Sequence, residues 1–444
     1  MTLDQVKKLV KDKGIEYFLC SFVEMSGAPK AKVVPVTNID EMAAEGAGFA
    51  GFAAGEMGQG PHDPDMANIP DFNSLTVVPW NPKMAWVAGN IHVEEKPWPY
   101  CPRTILQSQL DIAKKKGYSL NVGVEPEFML LNQDENGRYR PWDALDTLSK
   151  PCYDLRALHR NLEIMTTLIG YMQELGWNPY ANDHEDANCQ FEINWTYSDA
   201  LTTADRHTFY RWMVRTIAEE HGLLATFMPK PFSNLTGNGL HFHMSLWDED
   251  NKNNLFLDEN DENGLSQEAY WFMGGILKHA EATAAITNPL VNSYKRLISG
   301  APKSGATWAP VYITYGGSNR TQMVRIPGPG RIENRSIDGA ANPYLTIAVM
   351  LAAGLDGIEN KIEPGSRNDD NLYEIPEEEL KERGIRLLPR SLMEAIKKLE
   401  GDELIVKALG PIYEKYYVEV KKEEWRQYHN TVSEWETEQY LGLF

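Results

Sequence analysis

The sequence predicts an α+β protein of two domains, and three observations support that class. Strand-like and helical segments are both present but do not alternate strictly, which disfavours a doubly wound parallel sheet. At 444 residues the chain exceeds what one ordinary hydrophobic core holds. A proline-rich break at Pro97–Arg103 divides residues 1–103 from residues 104–444.

Residues 2–13 read as a short helix. Tyr17–Val23 and Ala31–Val36 read as strands joined by a turn at Ser26–Pro29, and Leu75–Pro79 and Met84–His92 as further strands. After the break, Thr104–Lys116 has helical periodicity and Gly123–Leu131 reads as a strand. Helical periodicity returns at Leu155–Leu175, Ala204–His221, Gln267–Thr287, Ser391–Leu399 and Ile412–Tyr440. There is no low-complexity linker and no evident internal repeat.

Composition excludes several classes. Hydrophobic residues make up 42% and charged residues 24%, as in an ordinary globular protein with a sizeable core. A net charge of −20 argues against nucleic acid or an anionic membrane as partner. The longest apolar stretch, Tyr344–Leu355, is too short to span a bilayer, and charges interrupt Met1–Val10 where a signal peptide would lie. Cys20, Cys101, Cys152 and Cys189 are widely spaced, which suits a reduced, cytoplasmic protein rather than a disulfide framework or a structural zinc site. Gly46, Gly48 and Gly51 spell a dinucleotide-type glycine pattern, but the preceding NIDEMAAE reads as helix and not strand, so a loop of small residues is expected there.

The chemistry concentrates in carboxylates, histidines and arginines. In GVEPEF, Glu125 and Glu127 are two apart, so a strand points both to one face, where they repel unless a cation lies between them. Glu185 and Glu192 flank a second acidic stretch, His241 and His243 alternate in LHFHMS, and Glu333 lies between Arg331 and Arg335. Carboxylates with an imidazole suit Mg²⁺ or Mn²⁺. Between Ser293 and Ser336 seven Lys or Arg (Lys295, Arg296, Lys303, Arg320, Arg325, Arg331, Arg335) face one acid, Glu333. Such a reversal in an acidic chain fits a site for phosphates and carboxylates, which arginine binds bidentately. Metal-binding acids beside an arginine-rich stretch describe phosphoryl transfer by positioning and charge neutralisation. Each group alone also fits a solvated face or structural histidines; the joint pattern carries the argument.

These residues resemble the glutamine synthetase family. KPFSNLTGNGLHFHMS at 230–245 resembles the family's ATP-region signature, and GVEPEF, HEDANCQFE, NSYKRL, SNR, RIENR, AANPYL and SLMEAIKKL resemble other blocks in order. The resemblance covers essentially the whole chain, more weakly before residue 100. It implies a small N-terminal β-grasp-like domain and a large glutamine-synthetase-type catalytic domain with an antiparallel sheet and flanking helices. It implies ATP and two or three Mg²⁺ or Mn²⁺ ions per site. Glu127, Glu185 and Glu192 would hold one ion, and Glu125, His241 and Glu333 another. Arg296 and Gly237 would bind glutamate, Arg335 its γ-carboxylate, and Arg320 the transferring phosphoryl group. His243, Ser245, Arg325 and Arg331 would line the nucleotide site. The activity implied is ATP-dependent joining of the glutamate γ-carboxylate to an amine through γ-glutamyl phosphate, in a homo-oligomer, a dodecamer of two hexameric rings with sites between subunits.

Three departures from the family bear on the amine. The spacing from Glu185 to Glu192 is one residue shorter than in the bacterial ammonia-using enzymes. KSGATWAP at 303–310 places Trp308 where a glutamate helps deprotonate ammonium, and Ala53 stands where an aspartate holds it, with Glu56 or Asp63 as substitutes. An alkyl group prefers an apolar wall, and the Trp308 face attracts cations. Methylamine is therefore the expected amine and Trp308 a catalytic-site residue; ammonia and a polyamine are the alternatives. A non-enzymatic relative would have lost several metal ligands, which are intact here. Tyr373, in DNLYEIP, resembles a tyrosine that some bacterial members carry adenylylated; a surface turn is the plainer reading.

Overall fold

The structure is a computed structural model that describes residues 1–298 and 309–444. Its first layer is a small sheet of β1 (Tyr17–Val23), β2 (Pro29–Pro35), β3 (Ala47–Phe49), β4 (Met66–Pro70) and β5 (Met84–Val93), in the order β2-β1-β5-β4-β3. Helix α1 (Leu3–Lys13) packs beneath it. Thr2 and Gln5 close a capping box at its start, and Gly14 ends it at φ 67°. Val6, Phe18, Cys20, Phe22, Val87 and Ile91 form the core of this layer.

Helix α2 (Pro102–Lys115) opens with proline at its first turn, so a boundary after residue 103 falls inside it. Buried Arg103 ties the two parts of the chain together. Its guanidinium donates to both carboxylate oxygens of Asp205 at 3.0 and 2.9 Å, to Asp71 at 2.8 Å and to Asn90 at 3.1 Å.

The second sheet carries the site. Its main strands are β6 (Tyr118–Gln133), β7 (Pro179–His184), β8 (Gln190–Trp195), β9 (Leu240–Asp248), β10 (Tyr312–Gly316), β11 (Gln322–Gly328) and β12 (Arg331–Asn334), in the order β7-β8-β6-β9-β12-β11-β10. Pairing is antiparallel except between β10 and β11, which run parallel. Helices pack behind it, among them Ala200–Glu220 and Pro343–Glu359.

Several expected elements differ. The helix expected over 155–175 is two, Leu155–Arg160 and Leu162–Glu174, broken at Asn161. His279 divides the one expected over 267–287, and Thr431 follows the first part of the last helix, Pro411–Asn430. The glycine-rich stretch at 46–51 contains the short strand β3, which pairs with β4, instead of a plain loop. Leu75–Pro79 contributes only the two-residue strand Thr76–Val77. No described helix is long and apolar enough to cross a membrane.

Candidate active site

Cross-strand register assembles the site. Residues directly opposite in antiparallel strands share a face. On β6, Glu127 lies opposite Glu192 of β8, which lies opposite Asp183 of β7. Glu125 lies opposite His241 of β9; His243, two residues on, lies opposite Glu333 of β12, which lies opposite Arg325 of β11. Six strands thus place one row of charged side chains on a single face. All of the row except Glu333 lines a cavity of about 640 Å³, also lined by Glu185, Gly237, Arg296, Arg320, Arg331 and Arg335. A second cavity of about 590 Å³ shares Glu125, His243 and Arg331 with it and adds Ser245, Tyr197 and Trp247.

Three groups place ligand atoms within 4.8 Å of one another: Glu127 with Glu185 and Glu192; Glu125 with Glu192 and His241; and Glu125 with His243 and Glu333. The first is all oxygen, the donor set that Mg²⁺ and Mn²⁺ take. In the third, His243 occupies the place that the family resemblance implies for His241. Its Nε2 lies 3.0 Å from Glu125 Oε1, while His241 Nδ1 lies 3.3 Å from Glu125 Oε2 and 3.8 Å from Glu333 Oε1.

The electrostatics fit a cation. Burial, then the charges of Glu127, Asp186 and Asp183, push the Glu185 carboxyl up to about 8. Burial and three neighbouring glutamates raise Glu192 well above the carboxylate range. Glu125 goes the other way: burial raises it, but hydrogen bonds from His241 and His243 outweigh that and hold it low. Glu333 is also buried, yet Arg335 and the two histidines keep it below its ordinary value. A divalent cation among Glu127, Glu185 and Glu192 would remove the repulsion that protons relieve here.

The polypeptide around these groups is tightly fitted. Gly239 N donates to Glu127 Oε2 at 2.6 Å. A Cβ on Gly237 would stand 2.2 Å from the Pro229 carbonyl oxygen, and one on Gly239 2.8 Å from the Arg296 guanidinium. Arg296 is buried, and its guanidinium donates to the carbonyls of Ser336 and Arg335 at 2.9 and 3.3 Å. Arg335 and Arg325 both pair with Glu333. Arg320 and Arg331 are exposed at the cavity and have no ion-pair partner among the described residues. Ser245 accepts a bond from Trp247 Nε1 at 2.9 Å. Trp308 lies outside the described residues. Ala53 and Glu56 are exposed; Glu56 bonds the Tyr416 hydroxyl, and neither lines the cavity. Tyr373 lies in a turn, as expected, but is half-buried, its ring against Tyr312 and its hydroxyl covered.

Sequence reasoning missed Gln190, fully buried, whose amide donates toward Glu127 Oε2, the Gly237 carbonyl and Asn238 Oδ1, each at 3.0 Å. Alternation in QFE puts Gln190 on the face of Glu192, a signal that was there to read. Asp183, Tyr153 and Tyr180 also line the cavity, and only register or tertiary packing reveals them.

Residues 99–440 match the family described as glutamine synthetase, catalytic domain. A glutamine synthetase of Rhizobium meliloti (strain 1021) is 45% identical over 443 residues, covering 100% of each chain. A glutamate–methylamine ligase of Methyloversatilis universalis is also 45% identical, over 447 residues and 100% of each chain. A solved structure described as "GmaS/ADP complex-Conformation 1" superposes with a TM-score of 0.91 at 47% identity, covering 98% of this chain and 99% of that one. "Apo GmaS without ligand" superposes at 0.89 and 46%, covering 98% of each. The chain belongs to the glutamine synthetase family. It is an ATP-dependent carbon–nitrogen ligase that takes glutamate and an amine and works with divalent metal ions.

Proposed function

We propose that the amine is methylamine, the product γ-glutamylmethylamide, and the working ion Mg²⁺ or Mn²⁺. Overall identity does not choose between amines, since a glutamine synthetase and a glutamate–methylamine ligase are equally similar. The replacement of both ammonium-caging acids, by Trp308 and Ala53, carries the reading. The full-length superposition on structures described as GmaS supports it.

Glu127, Glu185 and Glu192 would hold one ion; Glu125 and Glu333 would hold the other, with His243 in the third ligand position and His241 beside it, 3.3 Å from Glu125. The ions supply charge neutralisation to the ATP phosphates and the glutamate carboxylate. Arg296 and the Gly237 backbone orient glutamate, and Arg335 holds the γ-carboxylate for in-line attack on the terminal phosphorus of ATP. Ser245, Arg325 and Arg331 hold the nucleotide, in the second cavity and where it meets the first. Arg320, free of ion pairs among the described residues, neutralises the moving phosphoryl group. ADP leaves. The deprotonated amine then attacks the acyl carbon of γ-glutamyl phosphate, phosphate departs and the amide remains. Trp308 walls the methyl group and attracts methylammonium before it loses its proton, a contact worth about 0.5–2 kcal/mol.

The part of the chain before α2 forms a domain that completes a neighbour's site in a dodecamer of two hexameric rings. No residue of that part of the chain lines either cavity, which supports that arrangement. Mass spectrometry of products from ATP, glutamate and methylamine tests the reaction: γ-glutamylmethylamide is expected, and its absence overturns the reading. Trp308→Glu is expected to move amine preference toward ammonium; an unchanged preference removes Trp308 from the amine site.

A further inference from the structure

The turn that carries Glu185 is fastened from behind by a buried pair that lines neither cavity. His184 and Asp146 have side chains 0% and 1% exposed, and His184 Nε2 lies 2.9 Å from Asp146 Oδ2. The other ring nitrogen, Nδ1, lies 2.9 Å from the carbonyl oxygen of Glu185. The same aspartate grips the far end of the turn. Its Oδ2 accepts from Cys189 N at 2.6 Å, and its Oδ1 from Asn188 Nδ2 at 3.1 Å. Cys189 sits at φ 59°, a left-handed conformation that a non-glycine residue keeps only when its surroundings fix it.

Burying a carboxylate is unfavourable unless its oxygens are bonded. Asp146 meets that requirement entirely with groups of the 184–189 segment. A turn that needed only packing would be served by an apolar side chain, which carries no desolvation penalty. What this pair adds is direction. One carboxylate sets the carbonyl of Glu185, through the imidazole, and the backbone four residues later. Between them the turn closes on itself: Glu185 N donates to the Gln190 carbonyl at 2.8 Å, and Ala187 N to Gln190 Oε1 at 2.9 Å. The Glu185 side chain therefore leaves a rigid frame aimed at Glu127 and Glu192.

We infer that Asp146 and His184 are a positioning pair for the divalent-cation site of Glu127, Glu185 and Glu192, setting its affinity without touching ion or substrate. The inference rests on the cation-site reading above. Partners that orient a ligand residue typically change metal affinity about 10–100-fold when removed.

The test is Mn²⁺ binding to the chelator-stripped protein, followed by electron paramagnetic resonance, for wild type, Asp146→Asn, His184→Gln, Asn188→Ala and Glu185→Gln. Asp146→Asn and His184→Gln are expected to raise the Mn²⁺ dissociation constant about 10–100-fold. Their kcat should recover at saturating metal. Asn188→Ala removes the bonds that a partly exposed side chain makes to Asp146 and to the Leu148 carbonyl, the mildest of these changes to the fold, and should shift the constant in the same direction by a smaller factor. If Glu185→Gln abolishes a binding class while folded Asp146→Asn, His184→Gln and Asn188→Ala bind Mn²⁺ as wild type, the pair is only structural and the inference fails. Should Asp146→Asn and His184→Gln not fold, an unchanged constant in Asn188→Ala overturns it equally. If Glu185→Gln leaves Mn²⁺ binding untouched, the cation-site reading fails instead.

Discussion

Replacing Gly237 by alanine tests whether the loop at 236–239 holds glutamate as argued. The new Cβ would stand 2.2 Å from the Pro229 carbonyl oxygen and 3.2 Å from Arg296 Cγ. Ordinary contact begins near 3.4 Å, so the gap to Pro229 must open by about 1.2 Å, and the obstacle is backbone, not a flexible side-chain end. The Pro229 carbonyl accepts from Asn238 N at 2.9 Å, so that movement carries the loop with it. A displacement of about 1 Å near reacting groups costs roughly 100-fold, or about 2.7 kcal/mol. Overpacking of this kind destabilises by about 1–3 kcal/mol. At about 2.1 cal/mol/K per residue over this chain, that lowers Tm by only about 1–3 °C. The assay is ADP release at saturating ATP with glutamate varied, beside thermal unfolding. A fall of about 100-fold in kcat/KM for glutamate with a small Tm change is expected. Gly170→Ala, in an exposed helix position with nothing within 4 Å, is the control and should leave kinetics alone. Gly237→Ala with kcat/KM for glutamate within about threefold of wild type would refute the placement.

Two further predictions concern pH. In chelator-treated protein the Glu185 carboxyl is raised from 4.5 to about 8, so the folded chain keeps a proton that the unfolded chain releases, and stability falls as pH rises through that window. From pH 5.5 to 8 the loss attributable to Glu185 is about 3 kcal/mol, or about 3 °C in Tm for a chain of this length. Glu185→Gln should lack it, and parallel Tm profiles for variant and wild type would contradict the prediction. At His279, burial lowers the imidazole's affinity for its proton, but Asp402 at 2.6 Å and Asp356 at 3.0 Å outweigh burial and raise it. The stabilisation is present below the unfolded value of about 6.5 and lost as pH rises through the raised one. The Tm gap between wild type and His279→Gln should therefore close on going from acid to alkaline buffer; a gap independent of pH would show that the aspartates do not act through charge.

The sequence carried the local part of the site and little of its assembly. Alternation alone placed Glu125 with Glu127 and His241 with His243 on common faces. What brings Asp183, Glu192, His241, Glu333 and Arg325 into one row is strand register, fixed by pairing between segments as distant as Glu125 and His241, for which local periodicity holds no signal. The helix Pro343–Glu359 was legible only as an apolar run, because it is buried on nearly every side and has no polar face to give a period. Asn161 and His279 interrupt helices without proline or glycine, so the pattern runs through both breaks. Gln190 was within reach of the same alternation that found Glu192. Asp146 and His184 were not, since their meaning lies in what they touch across the fold.

The most direct test of the account is kcat/KM for ammonium, methylammonium, ethylammonium and putrescine, measured by ADP release with ATP, Mg²⁺ and glutamate. The account predicts that methylammonium exceeds ammonium by a wide margin. A preference for ammonium would contradict it, marking a glutamine synthetase with a rebuilt ammonium site and making Glu56 the next residue to replace.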